Sequence, residues 1–206
     1  STDDYQLLRA YLQVVKRMAK AQEQLLADCR LFQFRATHDP LLTNLLNYSG
    51  IVGWLQNQLD FSLRHSTPVS LIMADIDNFR QVNNNYGHLA GNAVLHQVAE
   101  RMLTSIRSED AIGRFGGEEF LAVLSNCDAK QTIGLAERIR GRVSHPPIQT
   151  TEASVSINLS IGVMTILGEI GVEEAIKQAD TALYRAKQLG KDQVCSYDKQ
   201  PNLSRF

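Results

Sequence analysis

The chain has 206 residues, 44% of them apolar and 21% charged, with a formal net charge of −1. That is the composition of an ordinary soluble globular protein, long enough for one domain with a full core plus an extension. The balance of charge excludes a global basic field for nucleic acid, and no apolar run approaches the ~20 residues of a membrane span. Cys29, Cys127 and Cys195 are odd in number and far apart, which fits neither a disulfide framework nor a zinc site. A reducing cytoplasm is the expected setting. Ser1 opens the chain without the n-region and h-region of a signal peptide, and the missing initiator Met points to a fragment or a processed chain.

Residues 4–36 carry a heptad pattern. Leu8, Tyr11, Val15, Met18, Gln22, Leu25, Cys29 and Phe32 step by three and four in alternation, and Leu12, Ala19 and Leu26 widen the stripe. Such a helix would reach ~50 Å. It reads either as an amphipathic helix folded back on its own domain or, the reading we prefer, as the stalk of a parallel dimer. Pro40 disfavours helix at Asp39 and ends it. A helix is expected near 49–65. Residues 69–76 form a continuous apolar run, the pattern of a strand buried on both faces. It leads into Asp75-Ile76-Asp77, with the two carboxylates on one face and Ile76 on the other. A helix near 90–107 places Val94, Val98, Met102 and Ile106 on one side. A hairpin over 111–124 follows, with Gly116 and Gly117 expected at φ > 0 in its turn. Then come a helix near 129–143 and a loop at His145-Pro146-Pro147. A strand with one buried face is expected through Val155, Ile157, Leu159, Ile161 and Val163. A helix near 172–189 is capped by Gly190, and a short strand spans 193–197. This order fits an α+β palm with a central, mainly antiparallel sheet flanked by helices, preceded by the long N-terminal helix.

Two places concentrate chemistry. Glu118 and Glu119 form the acidic tip of the hairpin, which reads as a solvated turn or as part of a cation site. Asp75 and Asp77 stand at the end of a buried strand, where carboxylates are costly unless paired or bound to metal. Hard oxygen ligands suit Mg²⁺. A carboxylate from a central strand and one from a neighbouring hairpin would make a two-metal phosphoryl-transfer site.

Several motifs in order carry a family resemblance over residues 37–198. They are Asp75-Ile76-Asp77-Asn78-Phe79-Arg80, Asn83 with Tyr86-Gly87-His88, and Arg114-Phe115-Gly116-Gly117-Glu118-Glu119-Phe120. Ser160-Ile161-Gly162-Val163 and the run Ala179–Lys187 with Gly190-Lys191 complete the set. The chain resembles a GGDEF domain, the catalytic domain of diguanylate cyclases, in its Gly-Gly-Glu-Glu-Phe form. Leu42-Thr43-Asn44-Leu45-Leu46-Asn47-Tyr48 resembles the family's linker motif and departs from it at Asn44 and Tyr48.

The resemblance implies a nucleotidyl-cyclase-like palm with a five-stranded sheet as the catalytic domain, residues 37–206, behind the coiled-coil stalk of residues 1–36. It implies condensation of two GTP into cyclic di-GMP with release of two pyrophosphates, by two domains facing each other in a homodimer joined through the stalk. An upstream sensor is implied beyond this chain. Asp75, Glu118 and the carbonyl of Ile76 would hold two Mg²⁺, with Mn²⁺ as a substitute. Glu118 and Glu119 are the candidate catalytic carboxylates, while Asp77 is expected to brace the turn. The Asn78-Phe79-Arg80 loop would offer backbone N–H groups to phosphate. Lys187 and Lys191, on one helix face if the helix persists through Gly190, would grip the terminal phosphates. Asp192 stands where the family usually has Asn.

Asn83 and Asn92 fall on the guanine-contacting positions, and His88 lies beside them as a substrate contact or a structural residue. Asn92 departs from the family's Asp, which opens a second reading: a relaxed synthase that also makes cyclic GMP–AMP. Arg107 and Asp110 match the family's Arg-x-x-Asp product-inhibition motif, with Arg138 as its secondary Arg. A third reading is a catalytically weak domain that only binds GTP or cyclic di-GMP. The intact Asp75, Glu118, Glu119 and Lys187 argue against it.

Overall fold

A computed structural model describes residues 2–151 and 153–197, and the chain divides into two units, residues 1–36 and 37–206. In the first unit, helix α1 (Thr2–Thr37) runs unbroken. Tyr11, Met18, Leu25 and Phe32 on its stripe are 67–75% exposed. The side chains of Leu8 and Leu12 lie outside the described residues. The helix ends where Pro40 was expected to end it.

The second unit is a five-stranded sheet covered on both faces. Its elements in chain order are α2 (Tyr48–His65), β1 (Val69–Ile76), α3 (Phe79–Leu103), β2 (Ala111–Arg114), β3 (Glu119–Ser125) and α4 (Ala129–Ser144). They continue with β4 (Ile148–Gln149), β5 (Ser154–Val155), β6 (Leu159–Ile166), α5 (Val172–Gln188) and β7 (Val194–Ser196). The strand order is β2-β3-β1-β6-β7. All pairings are antiparallel except β6 with β7, which is parallel. This is the expected mainly antiparallel α+β palm.

Every residue of β1 is buried, because both of its faces are covered. Ile72, Ala74 and Ile76 pack with Val94, Val98 and Met102 of α3 and Ile139 of α4. Leu71 and Met73 pack with Ile51 and Leu55 of α2 and Ala179 and Leu183 of α5. β1 is the middle strand, so its C-terminal end, and Asp75 with it, sits at mid-sheet. Local chemistry fixes the helix starts. Asn47 accepts the Gly50 N–H at 2.9 Å before α2, and Asp128 and Gln131 form a reciprocal capping box before α4.

Four expectations need correction. The helix expected near 90–107 begins at Phe79 and kinks at Gly87, where φ is +81°. The polar Asn83–His88 stretch hid its first two turns. The strand expected through 155–163 is broken at 156–158. Its first part pairs with β4 as a separate ribbon, and its second part, β6, is buried on both faces. Neither Gly116 nor Gly117 has positive φ. A Cβ at Gly116 would meet Glu119 Oε2 at 2.5 Å, so a side chain there would push the Glu119 carboxylate aside. Finally, α5 stops at Gln188, so Lys187 and Lys191 do not share a helical face.

Candidate active site

β1 places Asp75 opposite Glu119 of β3 on one side and Ser160 of β6 on the other. Directly opposed residues share a face, so Asp75 and Glu119 face each other across the strands. Burial pushes the Asp75 carboxyl up, against the hydrogen bond and charge of Lys187, whose Nζ lies 2.8 Å from Asp75 Oδ2. Burial also pushes Glu119 up, and the neighbouring Asp75 charge adds to it. Lys187 acts on both carboxylates, and Lys191 acts on Asp75 as well. Asp77 is committed elsewhere. Its Oδ1 accepts from Ser160 Oγ at 2.7 Å and its Oδ2 from the Asp192 N–H at 3.0 Å.

The hairpin turn is held by its own backbone and by one arginine. Phe115 and Gly116 both donate to the Glu119 carbonyl, and the Ile76 N–H donates to the Glu118 carbonyl at 3.2 Å, which ties the end of β1 to the tip. Arg114 donates to the carbonyls of Gly116 and Gly117. Its Nη1 also lies 3.5 Å from Asp39 Oδ1, and Asp39 in turn accepts the Leu41 and Leu42 N–H groups. Sequence reasoning took Asp39 only as part of a helix stop and gave Arg114 no role. Their pairing spans 75 positions, and no local pattern announces it.

Asn78, Phe79 and Arg80 form a helix start rather than a free loop. Asn78 is the N-cap residue in the left-handed region and makes no side-chain cap bond. Phe79 and Arg80 form the first turn, whose N–H groups suit an anion. Asn78 Oδ1 accepts from Lys191 Nζ at 2.6 Å. Lys191 gets there because α5 closes with Gly190 at φ +118° and the Lys191 N–H bonds back to the Ala186 carbonyl. The Lys191 charge also acts on Asp75, which joins the Asn78–Lys191 pair to Asp75, Glu119 and Lys187 in one charged cluster.

A cleft beside that cluster is lined by Asn83, His88 and Asn92 of α3, the first turn at Phe79 and Arg80, and Arg114, Gly117 and Glu118 of the hairpin. The cleft thus joins the expected base-contacting residues to Phe79 and Arg80 of the expected phosphate-contacting set, while Asn78, Lys187 and Lys191 are not among its lining residues. Glu118 faces this cleft, whereas Glu119 faces Asp75. Among the described residues, no three His, Cys, Asp or Glu side chains gather closely enough to hold a metal alone. Mg²⁺ keeps waters and substrate phosphates in its shell, and the Asp75 and Glu118 carboxylates with the Ile76 carbonyl are hard oxygen donors of the kind it takes.

A second pocket lies under α4. Arg107, Asp110 and Arg138 line it with Cys127 and Gln131. Asp110 shapes its rim by accepting the Arg107 and Ser125 N–H groups, and Arg138 donates to the Ser105 carbonyl at 2.9 Å. The Arg107 side chain is 64% exposed.

Residues 36–193 match the family described as diguanylate cyclase, GGDEF domain. The chain is 33% identical over 168 residues to diguanylate cyclase DosC of Escherichia coli (strain K12), which covers 80% of this chain and 36% of that protein. It thus spans about a third of the length of that curated relative. Its fold is similar to the active GGEEF domain of a diguanylate cyclase from Vibrio cholerae, with TM-score 0.71, 31% identity, and coverage of 76% of this chain and 99% of that one. It is also similar to the GGDEF domain of DgcB from Caulobacter crescentus in complex with c-di-GMP, with TM-score 0.75, 27% identity, and coverage of 79% and 96%.

Proposed function

We propose that this chain, which belongs to the GGDEF family of diguanylate cyclases, condenses two GTP molecules into cyclic di-GMP and releases two pyrophosphates. The observation that carries this reading is the charged cluster of Asp75, Glu119, Lys187, Asn78 and Lys191 beside the Asn83–Asn92 cleft. The cleft takes the base, the α3 start and the two lysines take the phosphates, and the carboxylates between them stand at the reacting α-phosphate. Each domain supplies half of the reaction, so two must face each other for one 3′-hydroxyl to reach the other substrate's α-phosphate. Asp75, Glu118 and the Ile76 carbonyl would hold two Mg²⁺, with Mn²⁺ as a substitute. When bound, these ions neutralise the phosphates and acidify the attacking hydroxyl. Glu119, with its raised carboxyl pKa, is placed to orient that site or to accept the proton.

Two finer readings belong to the same proposal. Asn92 offers one acceptor oxygen where a carboxylate offers two, so guanine preference is weakened and some cyclic GMP–AMP forms. Arg107, Asp110 and Arg138 bind cyclic di-GMP and inhibit. The family relative solved with c-di-GMP and the pocket under α4 support this. We further place the chain in the cytoplasm as a homodimer joined through residues 1–36, downstream of a sensor. No described helix is long and apolar enough to cross a membrane.

Incubation with Mg²⁺ and equimolar GTP and ATP, followed by separation of the products, tests the reading. Cyclic di-GMP is expected to dominate, with mixed product as a minor species that falls in Asn92→Asp. Absence of any cyclic dinucleotide would leave the domain as a weak nucleotide binder. Arg107→Ala is expected to keep its initial rate while losing inhibition by added cyclic di-GMP. Equal inhibition of mutant and parent would place the inhibitory site elsewhere.

A further inference from the structure

The turn that carries Lys191 is strained, and its strain is held from outside. Gly190, Lys191 and Asp192 have φ of +118°, +66° and +46°, three successive residues in the left-handed region. Glycine adopts it freely, but Lys and Asp do so at a cost and persist there only when neighbours over-determine them. The Lys191 N–H bonds to the Ala186 carbonyl, and the Asp192 N–H to Asp77 Oδ2. The remaining restraint comes from another element. Arg140 Nη1 donates to Asp192 Oδ1 at 2.7 Å and to the Asp192 carbonyl at 3.2 Å. Glu137, one turn back on α4, accepts from Arg140 Nε at 2.9 Å and fixes the plane of the guanidinium.

We propose that Arg140 is a positioning residue for substrate binding: through Asp192 it holds Lys191 over the phosphate-facing start of α3. This rests on the reading of Lys191 as a phosphate ligand. The Asp192 carboxylate gives Arg140 a charged partner that an amide would not. An ordinary ion pair at this exposure contributes little to stability. This one grips the side chain and the carbonyl of the same left-handed residue, next to a lysine whose ammonium reaches Asn78 Oδ1 at 2.6 Å. Without Arg140 the turn is free to relax toward negative φ, and the Lys191 side chain leaves Asn78.

Calorimetric binding of 3′-deoxy-GTP with Mg²⁺, which lacks the attacking hydroxyl, separates this idea from its premise. Lys191→Ala is expected to weaken binding about tenfold, Arg140→Met about three- to tenfold, and Arg140→Lys less than Arg140→Met. The double variant is expected to bind no more weakly than Lys191→Ala alone, because Arg140 acts through Lys191. In turnover, Arg140→Met raises the GTP KM and leaves kcat within about twofold of the parent. Unchanged binding in Arg140→Met beside weakened binding in Lys191→Ala overturns the proposal, and so does an additive double variant. If Lys191→Ala binds like the parent, the phosphate reading of Lys191 fails instead. The brace is then judged by amide hydrogen exchange at 190–193, expected to quicken about fivefold or more in Arg140→Met. Unchanged exchange overturns the brace whatever the ligand does.

Discussion

Asp75 and Glu119 hold their protons more tightly in the folded chain than in the unfolded one, first because they are buried and then, for Glu119, because Asp75 is near. Their contribution to stability is full below about pH 4 and is lost as pH rises through the raised folded values. At neutral pH, in chelator, an ionised Glu119 is therefore a net cost. Glu119→Gln is expected to raise the Tm of the metal-free protein by roughly 1–3 °C at pH 7, with the gain shrinking toward pH 4. A lower Tm than the parent at pH 7 would mean that the Glu119 charge stabilises the fold. A second residue-scale constraint is Gly91, whose Cα lies against the Asn83 side-chain amide, so that a Cβ there would overlap Asn83 Oδ1. That amide ends a flexible side chain and can swing away at little cost, while Ala is the better helix former. Gly91→Ala is thus expected to keep or raise Tm and to raise the GTP KM about five- to twentyfold through loss of an aligned hydrogen bond, with kcat little changed. An unchanged KM would remove Asn83 from base recognition.

Between elements, α5 packs closely on β6. Gly162 lets the helix backbone descend onto the strand, and a Cβ there would overlap the Leu183 N and the Ala179 carbonyl. These are backbone atoms and cannot swing aside, so Gly162→Ala is expected to cost about 1–3 kcal/mol or more, seen as a Tm lower by roughly 3–10 °C. A Tm within a degree of the parent would show that α5 shifts freely. Ser160-Ile161-Gly162-Val163 was legible in the sequence as a motif, but the reason for its glycine lies in a helix twenty residues away. The same division runs through the whole unit. β1 was readable from its unbroken apolar run, and α5 from its periodicity and the glycine after it. The first two turns of α3 were not, because the polar run Asn83, Asn84, Asn85 and His88 breaks the apolar period, and Asn83 and His88 line the cleft. β6 was misjudged as half-exposed because Ser160 and Gly162 look like surface residues. Ser160 is buried against Asp77 and Gly162 under α5. The site's residues were legible as motifs. Its clamps, Arg114 on Asp39 and Arg140 on Asp192, were not, because each joins positions far apart in the chain.

At the scale of the whole molecule, the two units pose one question: what covers the stripe on α1. Residues 37–206 have their own apolar clusters on both sheet faces. In residues 1–36, Tyr11, Met18, Leu25 and Phe32 lie exposed at heptad spacing, which in water calls for a partner. A second copy of the helix fits, since each copy presents the same seam. The proposed reaction needs two half-sites to meet, so a paired stalk would convert a bimolecular encounter into a local one. The residue 37–206 fragment is therefore expected to show specific activity that rises in proportion to protein concentration, while the intact chain keeps a constant value down to much lower concentration. Equal specific activity of the two at low concentration would mean that the stalk does not set the encounter. Strand direction can be tested on the same helix. Cys29 is exposed and lies on the stripe, so in a parallel, in-register pair the two Cys29 side chains oppose each other within disulfide reach. In an antiparallel pair they stand far apart along the helix, since Cys29 is near one end and each residue advances 1.5 Å. Mild oxidation is expected to link the intact chain into a covalent dimer that keeps its activity at high dilution, and Cys29→Ser to abolish the link. A covalent dimer that forms but loses activity on dilution would show that the stalk pairs without bringing the half-sites together.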